Sequence, residues 1–402
     1  MRIIILTQYY PPETGAPQNR LHSLARNLES AGHRVEVQTA MPNYPKMRVF
    51  DGYRRRFFQA EEIDGIEVRR SWIYVTRSKA MVPRLLNYFS FVITSLIVGV
   101  RAKSADYILC ESPPLFLGIS AWLIAKARKA QLIFNVSDLW PESAEKLGII
   151  GDGLPLRAAY RLEGWLYRKS CLVTGQTQGI VADILRRFPD VPAIWLPNGI
   201  DDDVVASVER DRSWRAQYGL EGRKVFLYAG VLGFAQGLEV IIMAAKRLRN
   251  HNEIAFVIVG DGPLAEELQE LNKTHEAGVV FIPNTPKQVV LGMVADVYSY
   301  IVPLKKLDLF KGAIPSKLFD PLSFGVPILL GVEGEAKNLF IDDARAGLAF
   351  EPENEEALVE AVLELVEDPK ERDQMGRNGL EYVGSNFNRS VIAKRLIEEL
   401  DN

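Results

Sequence analysis

Along the chain, short runs made almost wholly of apolar residues alternate with longer segments whose apolar residues recur every three or four positions. The short runs predict strands at 3–7, 34–39, 66–71, 105–110, 131–135, 171–175 and 193–196. A second series follows at 224–228, 255–259, 279–282, 297–301 and 327–330. Between strands, residues 17–31 place Leu21, Leu24, Ala25 and Leu28 on one face of an amphipathic helix, and Gly32 follows as its stop. Two further helical periods lie at 355–366 and 390–400.

Strands this apolar, separated by helices, belong to parallel sheets covered on both faces. The class is therefore α/β, and two series in succession predict two Rossmann-like, doubly wound domains. The turn-rich link Pro197-Asn198-Gly199-Ile200-Asp201 puts the boundary after residue 198. The expected domains are 1–198 and 199–385, with a final helix over 386–402 that packs back on the first. Doubly wound sheets bind ligands at the carboxyl ends of their strands, so a ligand is expected in a cleft between the domains.

Length and composition agree with this division. A chain of 402 residues exceeds one ordinary core, and 48% hydrophobic with 25% charged residues is a well-cored profile. Cys110 and Cys171 have neither disulfide nor metal-ligand spacing, which points to a reducing, cytoplasmic compartment. His22, His33, His251 and His275 also lack metal spacing, so no metal is expected. The N-terminus reads as a strand without a signal-peptide cleavage region. The most apolar stretch, 89–100, is short of the ~20 residues that span a bilayer. Charge is uneven. Residues 1–198 carry 26 Lys and Arg against 17 Asp and Glu, and residues 199–402 carry 22 against 34. The first half is thus suited to an anionic partner or simply well solvated.

Candidate chemistry sits in the loops that follow strands. The segment Tyr9-Tyr10-Pro11-Pro12-Glu13-Thr14-Gly15-Ala16-Pro17 enters a helix N-terminus, which suits a phosphate but is equally an ordinary connection. Asp138-Leu139-Trp140-Pro141-Glu142-Ser143 offers two carboxylates and an aromatic face, a common way to hold a sugar ring. Asp138 reads as well as a helix cap and Trp140 as a packing residue. Glu111, ending the preceding strand, adds a second polar loop. In the second domain, the turns containing Gly233, Gln236 and Gly262 allow close backbone approach by a ligand. Lys305, Lys306 and Lys311 lead into Pro315-Ser316-Lys317-Leu318-Phe319-Asp320 and make either a pyrophosphate site or a solvated lysine loop.

With the Pro-Asn-Gly-Ile-Asp link and "PSKLFDPLSFGVPIL" (315–329), the chain resembles the retaining, nucleotide-sugar-dependent glycosyltransferases of the GT-B fold, family 4 type. Within that family, "TQYYPPETGAPQNR" (7–20), "DLWPES" (138–143), "AQGLE" (235–239) and "IPSKLF" (314–319) resemble the bacterial surface-polysaccharide branch, including N-acetyl-L-fucosamine transferases of O-antigen and capsule assembly. The resemblance implies a UDP-sugar donor as substrate, no cofactor and no metal. It implies donor binding by Gly15, Ala16, Leu318 and the ribose-binding acid Asp320, with Ser316 and Lys317 presenting backbone N–H groups, and the Lys317 charge, to the diphosphate. It also implies that Asp138 faces the acceptor sugar or the reacting centre and that Thr14, Glu13, Trp140, Glu142 and Glu111 border the acceptor. Two departures from the family pattern stand out. Gly312 replaces the first of two glutamates eight positions apart, and Val231–Gln236 lacks the usual Arg/Lys pair. The diphosphate role is therefore shifted to Lys305, which is also given a catalytic role, or Lys311.

Residues 46–103 hold 12 Lys and Arg against 5 Asp and Glu, around the apolar stretch 81–100. That stretch reads as a core helix with a thin polar stripe of Arg84, Asn87 and Thr94. Its start and the basic loops are expected to rest on an anionic inner leaflet, where the branch finds its polyprenyl-diphosphate-linked acceptor. The rival expectations are a UDP-sugar 2-epimerase of the same architecture and a non-catalytic nucleotide-sugar-binding protein.

Overall fold

The structure, a computed structural model, describes all residues except 14, 46, 79–80, 102–103, 147–150, 202–204, 211 and 402, and the side chain of Met81. Two compact units are present, Met1–Asn198 with Arg389–Asn402, and Gly199–Asn388.

The first unit is built on eight strands: β1 (Arg2–Leu6), β2 (Arg34–Ala40), β3 (Phe58–Ile63), β4 (Ile66–Ser71), β5 (Tyr107–Ser112), β6 (Gln131–Val136), β7 (Leu172–Gly175) and β8 (Ala193–Trp195). Their order is β3-β4-β2-β1-β5-β6-β7-β8, parallel throughout except for the β3–β4 hairpin. The longer helices are α1 (Ala16–Ser30), α2 (Met81–Gly99), α3 (Leu117–Arg128), α4 (Leu154–Lys169) and α5 (Gln178–Arg187). Side chains alternate across the sheet as the pleat requires. Ile3 and Ile5 join α1 residues Leu21, Leu24 and Leu28 on one face. Ile4 and Leu6 join Phe91 of α2 and Ala121 and Ile124 of α3 on the other. The two-sided cover explains why these strands read as unbroken apolar runs. Gly32 follows α1 at φ +87°, where a side chain would be strained.

The second unit carries β9 (Lys224–Ala229), β10 (Ile254–Val259), β11 (Val280–Ile282), β12 (Ser299–Pro303), β13 (Ile328–Gly331) and β14 (Gly347–Ala349), all parallel, in the order β11-β10-β9-β12-β13-β14. Helices α6 (Glu239–Arg247), α7 (Ala265–His275), α8 (Lys287–Val294), α9 (Glu355–Glu367) and α10 (Pro369–Asn386) complete it. The chain then returns to the first unit, where α11 (Arg389–Asp401) packs on α1 through Ile392, Ala393 and Leu396.

Three elements escape the sequence pattern. β3 never buries a face and β14 has only three residues, so neither makes an apolar run. α10 buries only Met375, Gly376, Gly379 and Val383, too little for a visible stripe. A fourth difference concerns α2. It runs from Met81 to Gly99, so by length and composition Val82–Gly99 could cross a membrane, contrary to the reading of 89–100 as too short. Nor is α2 simply a core helix. Phe91, Val92 and Val98 are buried, while Val82, Leu86 and Ile93 are exposed.

Candidate functional site

At the carboxyl end of β9 the chain passes through Gly230 and a turn of 3-10 helix, Phe234–Gln236, before α6. This loop has no charge of its own in sequence between Val231 and Gln236. A cation reaches it from far along the chain. Lys317 lies in the short helical turn Ser316–Leu318, which continues into the helix Phe319–Ser323. Its Nζ donates to Gln236 Oε1 at 2.6 Å and to Tyr228 Oη at 2.8 Å. It also lies 4.3 Å from the centroid of the Tyr228 ring. Tyr228 in turn donates to the Val231 carbonyl at 2.7 Å, which fixes its hydroxyl as an acceptor for Lys317. Beneath, Tyr300 of β12 both donates to Ala229 O and accepts from Ala229 N–H, pinning the end of β9.

Burial costs the ammonium its hydration, and among the described residues no carboxylate pairs with it, so the Lys317 pKa falls to about 7. Burial likewise pushes the Tyr228 and Tyr300 hydroxyls up, so both remain protonated donors at neutral pH. An incompletely compensated cation on a fixed scaffold is a good receptor for a diphosphate.

The other lysines are placed differently. Lys311, expected at the diphosphate, is exposed and pairs with Asp308 at 2.8 Å and Glu333 at 3.9 Å. Lys306 is held by Glu351 at 2.5 Å. Lys305 stays beside the β9 loop, its backbone N–H bonding Ala235 O at 3.0 Å. The cation hydrogen-bonded to the β9 loop is Lys317, already among the expected donor residues, while Lys305 borders the same loop and Lys311 is paired with carboxylates.

Two of the expected donor residues are tightly packed within the protein. A Cβ at Gly262 would lie 2.7 Å from the Leu232 nitrogen and closer still to its carbonyl oxygen. The space that a side chain would need there is filled by the chain's own loop. Leu318 is fully buried and its N–H bonds Pro315 O at 3.1 Å, so it packs the core. Gly233 has φ −120°, a Cβ there would meet the Val231 side chain at 3.6 Å, and Ser316 is exposed. Asp320 occupies the first turn of its helix, and its charge is felt at the buried Tyr300 hydroxyl. Gly312, at the departure from the family pattern, is exposed.

In the first unit the expected residues gather at the carboxyl ends of β1, β5 and β6. Gly15, in extended conformation, precedes α1, and Ala16 is exposed beside it. Thr14 lies outside the described residues. Glu13 does not present its carboxylate to an acceptor. It is buried, and it accepts from the backbone N–H of Asn43 at 2.7 Å, Tyr44 at 2.8 Å and Tyr10 at 3.2 Å. It ties the β1 loop to the β2 loop, and burial raises its pKa despite those three bonds.

Glu111 is likewise engaged within the protein. It meets Arg20 of α1 at 2.6 Å, with both side chains about 5% exposed, and accepts from Asn135 and Ser137. Arg20 also donates to Ser137 Oγ at 2.9 Å, and Gln176, with its amide oxygen turned to the guanidinium, accepts from Arg20 Nε at 2.7 Å. Thr174 donates to Asn135 Oδ1 at 2.6 Å. This network binds α1 to β5, β6 and β7 directly below the Asp138 loop. The sequence reading missed Arg20. Its only signal is a basic residue next to Leu21 on the buried side of an amphipathic helix.

Asp138 itself is exposed and accepts from Ser143 Oγ at 2.5 Å, so it does act on the following helical turn, Glu142–Lys146. Trp140 is half-buried, packed edge-on against Phe116 with centroids 5.7 Å apart. Glu142 pairs with Lys146 at 2.6 Å. Among the described residues, no three His, Cys, Asp or Glu side chains gather as a metal site.

Residues 15–199 match the family described as glycosyl transferase 4-like domain, and residues 210–382 match glycosyl transferases group 1. The chain is 25% identical over 418 aligned residues to the putative colanic acid biosynthesis glycosyl transferase WcaI of Escherichia coli K12, with both chains covered in full. It is 27% identical over 230 residues to the O-antigen chain mannosyltransferase C of Escherichia coli, covering 54% of this chain and 56% of that one. Among solved structures, Anabaena HepE in complex with UDP-glucose superposes with a TM-score of 0.73 at 14% identity, covering 100% of this chain and 99% of that one. These matches do not favour the epimerase or the non-catalytic reading. The chain has the GT-B fold and is a glycosyltransferase, a glycosyl transferase 4-like domain followed by a group 1 domain.

Proposed function

We propose that this protein moves a sugar, with retention of anomeric configuration, from a UDP-sugar to a polyprenyl-diphosphate-linked sugar during assembly of a bacterial surface polysaccharide such as O-antigen or capsule. The transferred sugar is N-acetyl-L-fucosamine or a related amino sugar. The reaction takes place at the cytoplasmic face of the inner membrane, where the enzyme is peripheral. The relatives named for colanic acid and O-antigen assembly support the polysaccharide role, and the neighbour crystallised with UDP-glucose supports the donor class.

The observation that carries the donor reading is Lys317, a desolvated cation at the carboxyl end of β9. As the glycosidic bond breaks, negative charge grows on the departing diphosphate. The Lys317 ammonium, oriented by Gln236 and Tyr228, meets that charge, and the backbone N–H groups of Ser316 and Lys317 add to it. Asp320 accepts from the ribose hydroxyls. Asp138, held by Ser143, faces the acceptor sugar. Neutralisation by these groups needs no metal ion.

A panel of UDP-amino sugars, UDP-glucose and GDP-mannose, offered with a synthetic polyprenyl-diphosphate sugar, tests this reading. Transfer from a UDP-sugar with a retained anomer by NMR is expected. Transfer from GDP-mannose alone, an inverted product, or conversion of the donor without acceptor would overturn it.

A further inference from the structure

Helix α2 is turned inside out relative to a helix that faces water. Three of its polar side chains point into the protein. Asn87, Thr94 and Ser95 are buried, with Asn87 Nδ2 donating to Tyr74 O at 2.6 Å, Thr94 Oγ1 to Trp72 O at 2.6 Å, and Ser95 Oγ lying 3.0 Å from Ser120 Oγ of α3. Its outward side is apolar. Val82, Leu86, Phe89, Ile93 and Ile97, with Val100 just beyond the helix end, recur at steps of three and four and are all exposed, Val82 at 66%, Leu86 at 53% and Ile93 at 60%. The stripe is about 27 Å long at 1.5 Å per residue. Scattered exposed apolar residues are ordinary, but a continuous row marks an interaction surface.

The surroundings specify the partner. The segment after β4, hydrogen-bonded along α2, exposes Trp72 and Tyr74, and Trp72 N–H bonds Phe57 O at 2.9 Å, bringing exposed Phe57 and Phe58 alongside. Arg54, Arg55 and Arg56 immediately precede them, Arg77 and Arg101 flank the helix and Arg84 lies near its start, all exposed. A partner protein needs no such division of labour. An apolar stripe, a border of amphipathic aromatics and a rim of arginines match the hydrocarbon, interface and headgroup layers of an anionic membrane in turn.

We propose that the outward face of α2, with Phe57, Phe58, Trp72, Tyr74 and the surrounding arginines, docks on an anionic lipid bilayer, with α2 lying in the interface. The helix does not span, because Phe91, Val92 and Val98 stay packed in the core of the first unit and a span would expose Asn87, Thr94 and Ser95 to hydrocarbon. Phe89 of the stripe packs against Phe116 with ring centroids 4.8 Å apart, and Phe116 meets Trp140, so the surface reaches the loop read as facing the acceptor. The purpose of docking rests on the lipid-linked acceptor proposed above.

The test uses the full chain and flotation with vesicles of phosphatidylcholine alone or mixed with phosphatidylglycerol. Wild type is expected on the mixed vesicles, and less so at high salt. The combined variant Leu86→Gln, Ile93→Gln, Ile97→Gln, altered only at exposed positions and checked by circular dichroism, should lose about tenfold or more in partition. Arg54→Ala, Arg55→Ala, Arg56→Ala should lose the preference for phosphatidylglycerol. Failure of wild type to float, equal flotation of the apolar variant, or a stable dimer through this face would overturn the proposal. Transfer to a short-chain, water-soluble acceptor, which the apolar variant should retain, distinguishes failure of docking from failure of the transfer reading.

Discussion

Lys317 Nζ lies 2.6 Å from Gln236 Oε1, joining a lysine before the helix Phe319–Ser323 to a loop 81 residues earlier in the chain. The loop after β9 therefore has a cation without encoding one. Lys317→Ala should weaken UDP binding and lower kcat/KM by about 100-fold or more, the scale of losing one charge-stabilising donor. Lys311→Ala should be near wild type, since Asp308 and Glu333 already engage that charge. Calorimetric titration with UDP and donor turnover measure both. Unchanged UDP affinity in Lys317→Ala would remove the proposed role.

The same lysine gives donor binding a pH dependence. With a pKa near 7 in the free protein, about half of Lys317 is neutral at pH 7, whereas a diphosphate selects the ammonium. UDP affinity should fall up to about tenfold per unit as pH rises above 7, with proton uptake on binding visible as a buffer-dependent heat. In the absence of ligand the sign for stability is opposite. A lysine depressed in the folded state destabilises most below pH 7, and that cost fades as pH climbs towards the unfolded value. Lys317→Met should therefore raise the unfolding midpoint more at pH 6 than at pH 10.

Asp320 lies in the first turn of its helix, with Ser323 Oγ bonding its carbonyl at 2.7 Å. Asp320→Ala should weaken UDP binding, and Asp320→Glu should retain it, because the carboxylate and not its exact reach matters for ribose. Equal UDP affinity in Asp320→Ala and wild type would show that the acid serves elsewhere.

Arg20 and Glu111 form a buried ion pair whose removal has a structural cost. Glu111→Ala leaves the guanidinium buried without its carboxylate and should destabilise by about 3–5 kcal/mol. The double variant Arg20→Met, Glu111→Leu should recover most of that loss in urea unfolding.

Because the proposed stabilisation of UDP comes from Lys317 and backbone N–H groups, turnover should be undiminished by EDTA. Loss of activity restored by added magnesium would assign that work to a metal instead.

The apolar runs and their spacing determined most of the parallel strands and α1, since a strand covered on both faces must be apolar throughout. They also marked the loops after β1, β6, β9 and β12 as the places for chemistry. β3, β14 and α10 were hidden because packing on little or no apolar surface leaves no period to read. The site was legible by loop and much less by role. Glu13 and Glu111 look like ligand carboxylates in sequence, yet backbone N–H groups and Arg20 take up their charge. Gly262 makes room for Leu232. Only tertiary structure decided that the Lys317 ammonium meets Gln236 and Tyr228 at the β9 loop, and that α2 turns Asn87 and Thr94 inward and Ile93 outward. Periodicity says which residues share a face. What covers that face depends on elements tens of residues away, and no local pattern encodes their arrival.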